Sequence, residues 1–509
     1  MSPAHAARTG AGGDGDDAIV VGAGPNGLAA AVVLARAGLR VTVLERDDRI
    51  GGGARTEELT LPGFRHDICS AVHPMGAVSG FFRRFQLDRR IRMITPDISY
   101  AHPLDGGRAG IAHRSLAETA AGLGPDGPAF ARLVGGLVRN DDALAEFSLS
   151  SLLQIPRHPA TMVRFGLAML DQGLPWWNAR WRGEEAPAML AGVMAHAIRP
   201  MPSPSASAAG LALAVHAHAR GWPVPEGGSQ SIVDAMAADI VAHGGTIETG
   251  IEVSSLDEVA GARVSVFDVS ARAMADIGGE RLPSGYAMRL RRFRYGNAAS
   301  KVDFALSQPV PWTNEAVRRS PTVHLGGTRA EVARAENDVA AGRHARDPFV
   351  LVVQQGAVDP SRAPAGKAAL WAYTHVPAGS TIDQTEVITA AIERYAPGFR
   401  DTILASTSRT ATDLEFHNPN YVGGDIATGA PSVVQLAARP IVSTDPWRTP
   451  VPGVYLGSAS TPPGPSVHGL GGAYAARSAL RHEFGLDLPD LSIDGHPDPS
   501  PHRHTTAQR

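Results

Sequence analysis

Residues Gly22-Ala23-Gly24-Pro25-Asn26-Gly27 spell G-x-G-x-x-G, a spacing suited to holding phosphate. They follow the apolar run Ala18-Ile19-Val20-Val21 and open an Ala/Leu/Val-rich segment, Asn26 to Ala37, stopped by Gly38. Gly22 permits a tight turn, Gly24 lets the backbone approach a pyrophosphate, and Gly27 lets helix and strand pack closely. The phosphates then sit at a helix N-terminus, where free N–H groups and the helix dipole favour anions. Pro25 and Asn26 complete the cradle. Glu45 lies 23 residues past Gly22, at the end of a second strand-like run, Arg40 to Leu44, with Arg46 beside it. A carboxylate there accepts hydrogen bonds from two ribose hydroxyls and repels a 2′-phosphate. Strand, helix, strand and acid at this spacing predict a βαβ dinucleotide site.

A second glycine loop follows at once, Arg49-Ile50-Gly51-Gly52-Gly53-Ala54-Arg55-Thr56, flexible, able to cradle an anion and carrying an arginine. Taken together, G-A-G-P-N-G-L, L-E-R and G-G-G-A-R-T resemble the FAD fingerprint of the amine oxidase and phytoene desaturase superfamily. The resemblance implies FAD in place of NAD, with Gly52, Gly53, Ala54 and Arg55 along the diphosphate and near the flavin. Pro225-Glu226-Gly227-Gly228, Gly244-Gly245 and Val253 are similar to the family's middle segment, whose strand lies near the adenine. Val454 to Ser458, then Pro462 to Gly472, is similar to its C-terminal flavin segment, which implies Gly469 and Leu470 at the cofactor and a helix from about Gly472 whose N-terminus points at the ring and ribitol. Many members carry an acid after Gly457. This chain has Ser458, whose hydroxyl can still bond a ribitol hydroxyl. Ser70 to Pro74 and His417 to Ile426 resemble the phytoene-dehydrogenase-like and ketolase-type carotenoid oxidoreductases.

A flavin takes a hydride equivalent at N5, and the protein supplies position, dryness and charge. The resemblance puts Lys301 first: Ser300 to Leu306 is similar to the amine-oxidase strand whose lysine approaches N5 through a water. A cation there stabilises reduced flavin. The bland reading is a strand-end lysine in solvent. The chain's other lysine is Lys367. His73, just past the first flavin segment, reads as an acid, base or donor, or as a hydrogen-bonded structural histidine. His468 and Tyr474, in the C-terminal segment, are candidates to face the ring. Asn420 and Asp425 read as loop-bonding or cofactor-bonding. No histidine and acid spacing suggests a metal, so none is expected. The one cysteine, Cys69, cannot form an intrachain disulfide, and no C-x-x-C exists for dithiol chemistry. No second complete nucleotide fingerprint follows, so electrons are expected to pass to oxygen, a quinone or another acceptor.

These residues need a large scaffold. The chain has 509 residues, 43% of them apolar, enough for more than one domain. A net charge of −3 offers no basic field for nucleic acid. The expected fold is α/β: a discontinuous Rossmann-like FAD-binding domain (17–80, 222–290 and 431–488) with an inserted α+β substrate domain. That insertion comprises a helical lid region at 81–221 and an antiparallel sheet at 291–430, with disordered tails at 1–16 and 489–509. Ser151 to Trp181 is apolar, ends in tryptophans beside Arg180 and Arg182, and reads either as a lid or core, or as a membrane-interface patch. No run of about 18 apolar residues is present, so a cytoplasmic or membrane-surface protein is expected. The expected activity is a two-electron dehydrogenation or oxidation of an apolar, isoprenoid or polyene-like small molecule. A flavin amine oxidase and a non-enzymatic prenyl carrier of the GDP-dissociation-inhibitor type are the rivals. The intact glycine set argues against the carrier. Oligomeric state is not legible in the residues.

Overall fold

The computed structural model describes residues 15–493, so most of both predicted tails lies outside the described residues. The first residues of the predicted C-terminal tail are packed instead of disordered. Leu491 is buried in the first core and the Ser492 carbonyl accepts a 2.8 Å bond from Arg36 Nη1, so 489–493 belong to the packed chain.

Five short parallel strands form the first sheet, in the order Val454–Leu456, Val264–Phe267, Ala18–Val21, Val41–Glu45, Thr246–Thr249. They come from three separate stretches of chain, which makes this domain discontinuous. The central strand, Ala18–Val21, is apolar at every position because helices cover both faces, and its neighbours admit only Ser265, Thr42 and the terminal Glu45 as polar residues. Ala18, Val20, Val43 and Val266 face one core, with the Pro25–Arg36, Gln230–Ala242 and Leu470–Ala479 helices. Ile19, Val21, Leu44 and Phe267 face the other, with the Ala271–Gly278 and Ser284–Arg291 helices. The strand of the middle segment runs Thr246–Thr249, and Val253 is buried in the loop beyond it.

The second sheet has seven strands: Ile403–Arg409, Ala298–Leu306, Ala368–Val376, Val350–Val353, Thr322–Leu325, Ile98–Pro103, Ala109–His113. Neighbours are antiparallel except the parallel contact Val323↔Ala101. The 81–221 region is therefore not helical throughout. It donates the 98–113 hairpin, whose strand Ile98–Pro103 is buried at every position, to this sheet's edge. Side chains alternate across the sheet as the pleat requires. Val302, Phe304, Val350, Val352 and Leu370 face outward onto the Thr385–Tyr395 helix. Leu351, Val353, Trp371 and Tyr373 face inward, with Ala71, Trp177, Met194 and Tyr421.

Glycine decides how closely the helices of the first domain approach. A Cβ on Gly472 would overlap the Asn26 carbonyl, where the Leu470–Ala479 and Pro25–Arg36 helices meet. Gly472→Ala is expected to lose about 1–3 kcal/mol or more, because a backbone group cannot yield as a side chain can. Gly122→Ala, with nothing within 4 Å of the added methyl, serves as control. Chemical denaturation of both variants checks this, and equal stabilities would refute it.

Candidate functional site

The first glycine turn is held from several sides. Gly22, at φ 98°, donates to the Leu44 carbonyl at 2.8 Å. Gly51 N–H donates to the Ala23 carbonyl at 2.9 Å, which ties the second glycine loop to the first. Glu45 accepts from Ala23 N–H at 2.7 Å and from Asp47 N–H at 2.9 Å. Its carboxylate thus lies beside the turn, at the edge where a nucleotide ribose is expected. Arg46 next to it is exposed.

The predicted third segment reaches the same place. The Leu470–Ala479 helix starts after Gly469, at φ 68°, and Gly471 N–H donates to Asn26 Oδ1 at 3.1 Å. Two helix N-termini therefore meet, and anions are stabilised at such ends. The middle segment also arrives. A Cβ on Gly228 would overlap the Thr56 hydroxyl, and Ile251 N–H donates to the Glu45 carbonyl at 2.8 Å, two residues before Val253. Ser458 is buried, and its Oγ accepts from Ser460 N–H at 3.1 Å.

Gly52 and Gly53 lie beneath the loop that follows His417. A Gly53 Cβ would overlap the Tyr421 hydroxyl, and a Gly52 Cβ would stand 3.5 Å from Gly24 Cα and 4.0 Å from Asn418 Nδ2. Ala54 is buried. Arg55 is buried too, and its guanidinium faces Asp47 at 2.8 Å, Glu57 at 3.3 Å and the His417 ring at 3.1 Å.

The catalytic candidates separate. Lys301 does not reach solvent: it is 3% exposed and its Nζ is bound by both carboxylate oxygens of Asp303. It stands on the inward face of the large sheet, with the Trp371 ring 5.4 Å away. Burial lowers the ammonium's pKa and raises that of the Asp303 carboxyl, while each partner's charge opposes this. Asp303 also lies 3.5 Å from His66, which burial holds neutral, with a pKa of about 3. His73 Nε2 is 2.8 Å from Ser229 Oγ, and Ser229 donates to the Ser70 carbonyl at 2.5 Å, so the imidazole is the donor. That ring ties the first and middle segments together. His468 is fully buried. Its Nδ1 accepts from Leu470 N–H at 3.1 Å, and its Nε2 is buried without a partner. Burial lowers its pKa to about 4. Tyr474 turns away to the Leu149 carbonyl at 2.9 Å. Asn420 and Asp425 bond loop amides of Ser270, Gly296, Ala427 and Gly429.

Three residues of this site escaped the motif reading. Asp303 carried a signal, a carboxylate two positions from a strand lysine, which places both on one face. Asp268 follows directly on a parallel strand, the end at which such sheets bind ligands. Tyr421 sat inside a phrase noticed only as a resemblance. Among the described residues, no three His, Cys, Asp or Glu side chains gather in metal-holding geometry.

Fold and glycine cradle together define a two-domain protein built around a Rossmann-type nucleotide module. Residues 20–85 match the family model described as an NAD(P)-binding Rossmann-like domain. The chain is 25% identical to rat pyridine nucleotide-disulfide oxidoreductase domain-containing protein 2, over 91% of this chain and 93% of that protein. It is 26% identical to the lycopene-forming phytoene desaturase of Pseudescherichia vulneris, over 52% of this chain and 57% of that one. In fold it is similar to cyclohexylamine oxidase from Brevibacterium oxydans (TM-score 0.54, 17% identity, 91% of this chain and 98% of that one). These similarities support a place for the chain in the superfamily of FAD-type oxidoreductases that includes the phytoene desaturases, and it shares the fold of the amine oxidases. The site is one for a flavin or nucleotide cofactor.

The buried Lys301–Asp303 pair gives a test of the site's electrostatics. Asp303→Asn leaves an unpaired buried cation and is expected to cost about 3–5 kcal/mol, whereas Lys301→Met combined with Asp303→Leu recovers most of the loss. Denaturant titration of the single and double variants checks this. A double variant no more stable than Asp303→Asn would refute it.

Proposed function

We propose that the chain is an FAD-dependent oxidoreductase that takes two electrons from an apolar substrate of isoprenoid or polyene type. The observation that carries the reading is the meeting of two helix starts, at Pro25 and Leu470, beside the bare glycines 51–53. Simple packing of helices does not require three glycine-rich segments at one point. In this reading Gly22, Gly24, Pro25, Asn26 and Gly27 hold the diphosphate through the backbone, and Glu45 holds the ribose. Arg46, Gly52, Gly53, Ala54 and Arg55 line the same stretch, Val253 borders the adenine, and Gly457, Ser458, Gly469 and Leu470 border the ribitol and ring. Bound FAD would supply the hydride-accepting atom.

The chain's own residues would supply charge and dryness. Lys301 presents Nζ beside Asp303, whose charge opposes the lowering that burial imposes, and in this reading it opposes negative charge developing nearby. His468 offers its unpartnered Nε2. His73 acts as a positioning residue through Ser229. The inward face around Lys301, with Leu351, Val353, Trp371 and Tyr373, suits an apolar substrate better than a charged one.

An entry route is part of the proposal. On the Pro159–Gly173 helix, Val163, Leu167 and Leu170 are exposed in one stripe, with Ile155 and Trp176 exposed on either side of the helix in the chain. Arg157, Arg164 and Arg182 are exposed in the same stretch. That pattern fits an anionic lipid surface. No described helix is long and apolar enough to cross a membrane.

Purified protein is expected to show flavin absorbance that bleaches anaerobically with polyprenoids and not with amines. Bleaching by amines alone would move the activity to amine oxidation, and a folded, colourless protein that ignores added FAD would refute the flavin reading. Glu45→Ala is expected to weaken FAD binding about tenfold, the worth of two modest hydrogen bonds. Lys301→Met is expected to slow turnover about 10²–10³-fold at unchanged FAD content. Co-sedimentation with anionic liposomes, lost on Leu167→Ser with Trp176→Ser, checks the entry route.

A further inference from the structure

Asp268 stands against the first glycine turn, at the start of the Pro25–Arg36 helix. It follows the Val264–Phe267 strand, and its own N–H donates to the Val21 carbonyl at 2.8 Å, so its backbone is fixed in the sheet. Its Oδ2 accepts from Gly27 N–H at 2.8 Å. A Cβ on Gly24 would stand 2.6 Å from that same oxygen. The carboxylate therefore caps the Pro25–Arg36 helix, using an N–H group at the end that draws phosphate. Among the described residues no lysine or arginine pairs with it, and its charged neighbour is Glu45, of like sign.

We propose that Asp268 couples cofactor loading to a proton: the dinucleotide binds with its diphosphate beside a carboxyl that must be neutral. This inference rests on the FAD reading. Two anions at one helix end in a buried site cannot both stay charged without large cost. A neutral carboxyl removes the repulsion and can donate to a phosphate oxygen. Burial has already raised the Asp268 pKa to about 7, so the proton is available near neutrality.

The sign follows from linkage. Bound diphosphate raises the carboxyl's pKa further, so binding takes up a proton between the free and bound values. Kd then rises with pH, by at most tenfold per pH unit. Several other titratable groups around the cradle are moved away from that window. Burial holds Tyr421 well above its ordinary value and raises the Cys69 thiol, while His73, His417 and His468 are held at about 4. Asp47, on the Glu45 side, is lowered beside Arg55.

Full-length apoprotein titrated with FAD from about pH 6 to about pH 9, by fluorescence quenching, tests the inference. Kd is expected to rise at least tenfold between about pH 7 and about pH 9. Calorimetry in buffers of different ionisation enthalpy is expected to show proton uptake. Asp268→Asn, which keeps an acceptor for Gly27 N–H, is expected to bind FAD with a flat pH profile and more tightly than the parent at the alkaline end. Should that variant misfold, proton uptake by the parent protein decides alone. FAD binding that is tight but independent of pH overturns the inference and leaves the FAD reading standing. Weaker binding by a folded Asp268→Asn at every pH overturns it too, because Asp268 would then hold the cofactor. No FAD binding at any pH overturns both.

Discussion

The approach of two helix ends is the constraint on which the rest of the molecule depends. Asn26 and Gly471 are 445 residues apart, yet a 3.1 Å hydrogen bond joins them. Gly472 has no room for a side chain against the Asn26 carbonyl. Backbone N–H groups at a helix start have no partner within the helix. Two such ends side by side make a concentrated patch of donors and partial positive charge. The strands, the covering helices and the inserted domain can be read as the means of bringing those ends together.

The inserted domain adds a second constraint. Its large sheet turns one face to the apolar Thr385–Tyr395 side and the other inward. On the inward face sit Lys301 and Asp303, a charged pair among aromatic and aliphatic side chains. Such a pair contributes little net stability, since desolvation offsets attraction. Burial disfavours the charged form of each partner, and each partner's charge opposes that cost for the other.

The same tension appears at the nucleotide end. Asp268 satisfies a helix N–H group that would otherwise be bare, yet burial there disfavours its charged form. Arg55, which a phosphate-binding motif leads one to expect free, is engaged by Asp47, Glu57 and His417. Charge at the cradle is thus distributed among protein groups that a bound anion would have to rearrange or share. The backbone of the turns carries no such conflict and is the stable part of the site.

By itself the sequence determined the local pieces. The glycine spacing at 22–27, the apolar run before it and the acid at Glu45 dictate a strand, turn, helix and strand, because each depends only on near neighbours. The alternation in Ala298–Leu306 likewise placed Lys301 and Asp303 on one side. What local pattern could not supply was partnership across the chain. The hairpin at 98–113 is held by the large sheet, its buried strand facing Val323, although its surroundings read as helical. Asp268 beside Gly27, Tyr421 over Gly53, and His73 with its Nε2 at Ser229 are contacts between distant segments, and only the packed fold decides them. Periodicity reports which face a residue is on; it does not report what stands opposite, and the chemistry of a buried group depends on what stands opposite.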